Sequence, residues 1–138
     1  MHAGLTSHNL MAQNRESGAA GNTFGHETAP KIAAALGATM LGTSSNEARL
    51  GDARVVIKCA GKNTTSVGVV YDMLERLDTV LAAFQHKDGS FDVYSLPAAE
   101  FAKHARDSRS AGADGNVGLV TKKVFVESGK RIKIVRGL

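Results

Sequence analysis

The sequence predicts an α/β domain in which a mixed sheet is flanked by helices. Three observations carry that expectation. Two apolar runs flank Lys87-Asp88-Gly89-Ser90, a strong hairpin signal; two shorter extended segments flank Gly51-Asp52; and stretches with apolar residues at helical spacing fall before, between and after them. At 138 residues the chain is long enough to bury one ordinary core. A doubly wound nucleotide fold is excluded, because no G-x-G-x-x-G and no phosphate loop ending in Gly-Lys-Ser/Thr is present.

In chain order, residues 1–22 are rich in Gly, Ser, Asn and Ala without apolar periodicity and read as a flexible arm, leaving 23–138 as a single domain. "ETAPKIAAALG" reads as a helix: Thr28 is its N-cap, Pro30 lies in the first turn, Ile32, Ala35 and Leu36 share a face, and Gly37 stops it. Pro30 argues against a start much before Thr28. "ATMLGTSS" is a short extended segment. "NEARLGDARVVIKCAG" gives two strands around the Gly51-Asp52 turn.

Val67, Val70, Met73, Leu74 and Leu77 then recur at helical spacing, so Ser66 to Leu77 reads as an amphipathic helix interrupted only by Gly68. The hairpin runs from Thr79 to Leu96 and ends at Pro97. "PAAEFAKHARDSR" is a helix with Ala98, Phe101, Ala102 and Ala105 inward and Lys103, Arg106 and Arg109 outward. "SAGADGNVG" is a loop, and "LVTKKVFVESGKRIKIV" is a mixture of strand and short helix.

Composition narrows the function classes. The single cysteine, Cys59, excludes an internal disulfide framework and a multi-thiolate zinc site. No apolar run spans a bilayer, and the first residues lack the basic start and apolar stretch of a signal peptide, so a cytoplasmic setting without a membrane is expected. The formal net charge of +4 is uneven: residues 1–100 hold 8 Lys and Arg against 10 Asp and Glu, residues 101–138 hold 9 against 3. A basic C-terminal segment fits a polyanion such as DNA, or a solvated tail.

Lys58 is the residue that most needs a reason. Along the strand 53–60 side chains alternate, which sets Arg54, Val56 and Lys58 on one face and Val55, Ile57 and Cys59 on the other. A lysine thus shares a face with apolar Val56. Glu47 and Arg49 share a face of the preceding strand, and a carboxylate beside a lysine can hold a divalent metal and an attacking water.

These residues resemble the PD-(D/E)xK nuclease superfamily, the restriction-endonuclease-like fold. The likeness lies in a helix before a strand hairpin, an acid before a Gly turn, and a following strand with Lys58, and it covers roughly residues 24–96. It implies an endonuclease that hydrolyses phosphodiester bonds of DNA with Mg²⁺ or Mn²⁺. Glu47 takes the first-acid position, Lys58 that of the catalytic lysine, and Glu27 that of the acid carried by the first helix. Val56 stands where the acid-x-lysine element has its acid, so Asp52 or Glu27 would supply the missing metal ligand. Cutting both strands would suit a homodimer.

Each residue also has a plain reading. Lys58 can be an edge lysine with its ammonium in water; Glu47 can form a surface ion pair with Arg49 or Arg54; Glu27 can favour a helix N-terminus; Cys59 can be a small buried side chain. With no Trp and few other aromatics, a stacking platform for single strands is not expected. Backbone contacts to a duplex need only cations and amides. Candidates are Lys62, Asn63, Thr64 and Thr65 at the expected helix start, and Lys122, Lys123, Lys130 and Arg131. A DNA-acting nuclease, a nonenzymatic nucleic-acid-binding domain of the same layout, and a protein-interaction module follow in that order.

Overall fold

The computed structural model describes residues 9–42, 45–108 and 116–138, with side chains from residue 23 onward. The elements are α1 (Asn9–Leu36), β1 (Thr39–Met40), β2 (Glu47–Leu50), β3 (Ala53–Ala60), β4 (Ser66–Val70), α2 (Tyr71–Leu74), β5 (Thr79–Gln85), β6 (Phe91–Pro97), α3 (Ala98–His104), β7 (Arg106–Asp107), β8 (Val117–Thr121), α4 (Lys122–Ser128) and β9 (Lys130–Val135). The α/β class, with a mixed sheet flanked by helices, is as expected. No helix among the described residues is long and apolar enough to cross a membrane.

The main sheet has the order β1-β2-β3-β5-β6-β9, with β3 and β5 parallel and the other neighbours antiparallel. A second sheet, β4-β8-β7, is entirely antiparallel. Alternation along β3 splits the apolar residues into two cores. Val55 and Ile57, with Leu81, Ala83, Phe91 and Val93, receive Ala29, Ile32 and Ala33 of α1. Val56 and Ala60, with Val80, Ala82, Phe84 and Leu96, face Val67, Val69 and Val120 of the second sheet and Leu74, Phe101 and Phe125 of the short helices. Phe125 anchors α4 there, its ring edge-on to Phe84 at 5.7 Å and to Phe101 at 6.1 Å.

Three expectations are corrected. Residues 66–70 are strand, not the start of a helix, and only 71–74 are helical. Val67 and Val69 are buried while Val70 is exposed, so the period-2 pattern of a β-branched run prevails over the period-3.6 one. The first helix begins at Asn9 rather than Thr28; its backbone runs through the segment expected to be an arm, and Thr28 is a buried helical residue rather than an N-cap. Pro30 removes one helical hydrogen bond, to the carbonyl of His26, but both residues lie on the exposed side, where water can take that bond. The helix expected up to Arg109 stops at His104, and the chain continues as β7. Residues 1–8 of the arm and 110–115 of the expected loop lie outside the described residues; Val117 and Gly118 of that loop open β8.

Candidate nucleic-acid interface and the Glu47 cluster

Asn46 has a φ of 57°, a left-handed conformation asparagine tolerates, and its carbonyl accepts a 2.9 Å hydrogen bond from Ile57 N. This turn delivers Glu47 into β2 directly opposite Val56, so Glu47 points to the same face as Val56. Glu47 is 4% exposed.

Its carboxylate is fully engaged. Arg76 donates to both oxygens, Nε to Oε1 at 3.0 Å and Nη2 to Oε2 at 2.8 Å, a bidentate fork. Arg54 Nε donates to Oε1 at 3.1 Å, with its Nη2 at 3.0 Å. The Arg76 fork, more than its burial, sets the acidity: the carboxyl falls from its ordinary 4.5 to about 2. Arg54 is itself tied down, since its backbone N donates to Asp78 Oδ2 at 2.8 Å.

Lys58 is half-buried on the same face, one strand pair beyond Val56, opposite Ala82 of β5. It makes no ion pair among the described residues, and burial lowers its pKa. Cys59, on the other face, is pushed up by burial to about 12 and stays a thiol through the neutral range.

The other proposed ligands do not join them. Glu27 is exposed on α1, which packs against the Val55 and Ile57 face of the sheet, opposite the face that carries Glu47. Asp52 is exposed in the Gly51-Asp52 turn, at the end of β3 away from Lys58. Mg²⁺ and Mn²⁺ want an octahedron of oxygens. Here the buried carboxylate of Glu47 faces two guanidinium groups, its strand partner is valine, and among the described residues no group of three or more His, Cys, Asp or Glu could hold a metal. The residues present do not fit the ion.

The cations converge elsewhere. Because β3 and β5 are parallel, with Ala60 beside Phe84, both strands end on one side of the sheet, where β6 begins; β9, antiparallel to β6, ends there too, with Val135 opposite Phe91. The exposed loop Lys62, Asn63, Thr64 and Thr65 therefore lies at the same end of the main sheet as the hairpin tip at His86 and Lys87 and, three strands across, the end of β9 at Arg136. It is a strand-to-strand loop, so its amides are not at a helix start, which corrects the expected helical setting of these residues. Lys122 joins this end: its N donates to Thr65 O at 2.7 Å and its ammonium lies 5.4 Å from the centre of the Phe84 ring. Lys123 follows it, exposed on α4. Arg131 reaches back toward the same end, with Nη1 3.8 Å from Asp92 Oδ1, whereas Lys130 sits at the start of β9, opposite Ser95.

Sequence reasoning missed Arg76 and the pair His86 and Asp92. Arg76 is 29 residues from Glu47, and no local pattern links them. His86 and Asp92 flank the hairpin turn, so the turn signal itself could have paired them.

No protein-family model matches the chain, and no match is found among curated proteins. Among solved structures it is similar to Hjc, a Holliday junction resolvase from the archaeal hyperthermophile Archaeoglobus fulgidus, at 12% identity and a TM-score of 0.44, over 78% of this chain and 91% of that one. At that identity and score the likeness assigns no residue a role.

Proposed function

We propose that this chain is a DNA-binding domain that holds backbone phosphates at the cationic end of its main sheet and does not hydrolyse them through Glu47. The observation that carries the reading is topological. Lys62 with its loop is joined to Lys122 and Lys123, 60 positions on, by the β4–β8 pairing, and Arg131 is brought toward the same sheet end by the β3–β5, β5–β6 and β6–β9 pairings. Clustered cations around an exposed loop of small polar side chains suit phosphate contacts without base readout.

A second reading, a metal-dependent endonuclease of the restriction-endonuclease-like kind, is favoured by Lys58. It is a half-buried lysine with a lowered pKa on the same face as a buried carboxylate. That reading requires Glu47 to exchange Arg54 and Arg76 for a cation and a second carboxylate to replace Val56. A homodimer would then serve to cut both strands.

One experiment orders the two readings. Duplex DNA is titrated by fluorescence anisotropy at low and moderate salt, alongside plasmid incubation with Mg²⁺ or Mn²⁺. Salt-sensitive binding that Lys62→Ala and Lys122→Ala weaken, with no nicking, is the expected result. Nicking that Glu47→Ala and Lys58→Ala abolish would establish the second reading, and no binding at low salt would refute both.

A further inference from the structure

The β5–β6 hairpin tip and the last strand enclose an open cleft of about 700 Å³, away from the Glu47 cluster and lined by both carboxylates and cations. Both carboxylates already have partners. Asp88 Oδ1 accepts from Ser90 N at 2.9 Å and from Ser90 Oγ at 2.6 Å, and these bonds hold its carboxyl below the ordinary carboxylate range. Asp92, 8% exposed, has His86 Nε2 at 2.7 Å on Oδ2 and Arg131 Nη1 at 3.8 Å from Oδ1.

The cations are not satisfied to the same degree. Lys87 and Arg136 line the cleft and make no ion pair among the described residues. Asp92 fixes the imidazole by its Nε2, which leaves Nδ1 without a hydrogen-bond partner among the described residues. A buried acid thus orients a histidine and an arginine, and two further cations, Lys87 and Arg136, stand beside them, Arg136 near enough to Asp88 to act on its charge through space. A cleft so arranged sets His86, Lys87, Arg131 and Arg136 against the two carboxylates of Asp88 and Asp92, an excess of donors that suits an anion.

The geometry points to a phosphate-binding subsite formed by His86, Lys87, Arg131 and Arg136, with Asp92 as the positioning residue for His86 and Arg131. It rests on the DNA-binding reading above for its ligand class, and adds a defined seat for one phosphate group, either an internal diester or the terminal monoester of a strand. The hairpin tip carries the seat because Gly89, at a φ of 90°, lets the turn close with Gly89 N donating to His86 O at 3.0 Å, which keeps His86 and Asp92 in register.

The test uses the full chain. Inorganic phosphate is titrated while the His86 imidazole is followed by NMR, and anisotropy is measured with a 5′-phosphorylated duplex and with a closed dumbbell that has no strand ends. Arg136→Gln and His86→Gln are the variants, since both side chains are solvent-accessible, with the amide spectrum as the check of folding. The expected result is a saturable shift of His86 and a loss of about tenfold in duplex affinity for each variant. A loss confined to the phosphorylated duplex assigns the seat to a terminal phosphate, and an equal loss on the dumbbell assigns it to a diester. An unmoved imidazole together with unchanged affinities overturns the subsite. If Lys62→Ala still weakens binding in that case, only the subsite falls; if no variant matters and DNA does not bind, the DNA-binding reading has failed first.

Discussion

At Glu47 the side chain contributes charge complementarity where a metal ligand was expected. Removing the carboxylate leaves two guanidinium groups without their acceptor, although both arginines retain access to water. Glu47→Gln is therefore expected to cost about 2 kcal/mol, less than a fully buried pair would. The folded-state pKa lies below the ordinary value, so this stabilisation is complete above 4.5 and is lost as the pH falls toward about 2. Urea midpoints measured across that window should slope steeply for the wild type and less for Glu47→Gln; parallel slopes would show that the cluster is not what titrates. Lys58 has the opposite sign. Its pKa is lowered by burial, so the folded state carries a costly charge at neutral pH that is relieved as the pH rises toward 10.5. Lys58→Met is expected to be about 1 kcal/mol more stable at neutral pH, with the gain shrinking in alkali. A destabilised Lys58→Met would mean that the ammonium has a partner. A lysine that lowers stability in this way invites a functional explanation, and alternation along β3 made its position legible from the sequence alone.

Among the elements, the β5–β6 hairpin was the most legible, because a Lys-Asp-Gly-Ser turn and its flanking apolar runs are encoded within 20 residues. The segment 66–77 was not, since Val67 and Val70 through Leu77 satisfy a helical period as well as Val67 and Val69 satisfy a strand period. The choice is made by β8, which supplies the partner: Val67 lies opposite Val120, and Gly68 opposite Leu119. There Gly68 makes a close approach, since a Cβ on it would lie 3.1 Å from both Leu119 and Val117 side chains, which would have to shift by a few tenths of an ångström. The start of α1 was equally hidden, since a glycine-rich stretch with no apolar face gives no helical signal. The α4–β9 junction offers the sharpest test at this scale. A Cβ on Gly129 would sit 2.6 Å from Phe125 O and 2.7 Å from Ser95 O, both backbone atoms that cannot step aside without breaking the end of α4 or the β6–β9 ladder. Gly129→Ala should cost about 3 kcal/mol, read as a lowered thermal midpoint with amide shifts concentrated in α4 and β9. A neutral substitution would mean that the junction has room the backbone does not show.

For the whole molecule, the cationic end exists only because of non-local pairing. Lys62 and Lys122 are 60 positions apart in the chain, yet Lys122 N bonds to Thr65 O because β4 and β8 pair with Ser66 opposite Thr121. The sequence could mark Lys62 to Thr65, Lys122 and Arg131 as candidates, but only the registers of β4 on β8, of β3 on β5 and of β6 on β9 state that they belong to one end. Local patterns carry no information about that register. If this end holds DNA, its cations release counterions together, and the logarithm of affinity should fall linearly with the logarithm of salt, each phosphate contact adding about 0.9 to the slope. Lys62→Ala and Lys122→Ala should each flatten the slope by about 1, whereas Arg49→Ala, at the far end of β2, should leave it unchanged. A slope that no substitution at this end alters would place the DNA on another surface, and an equal response to Arg49→Ala would reduce the effect to net charge.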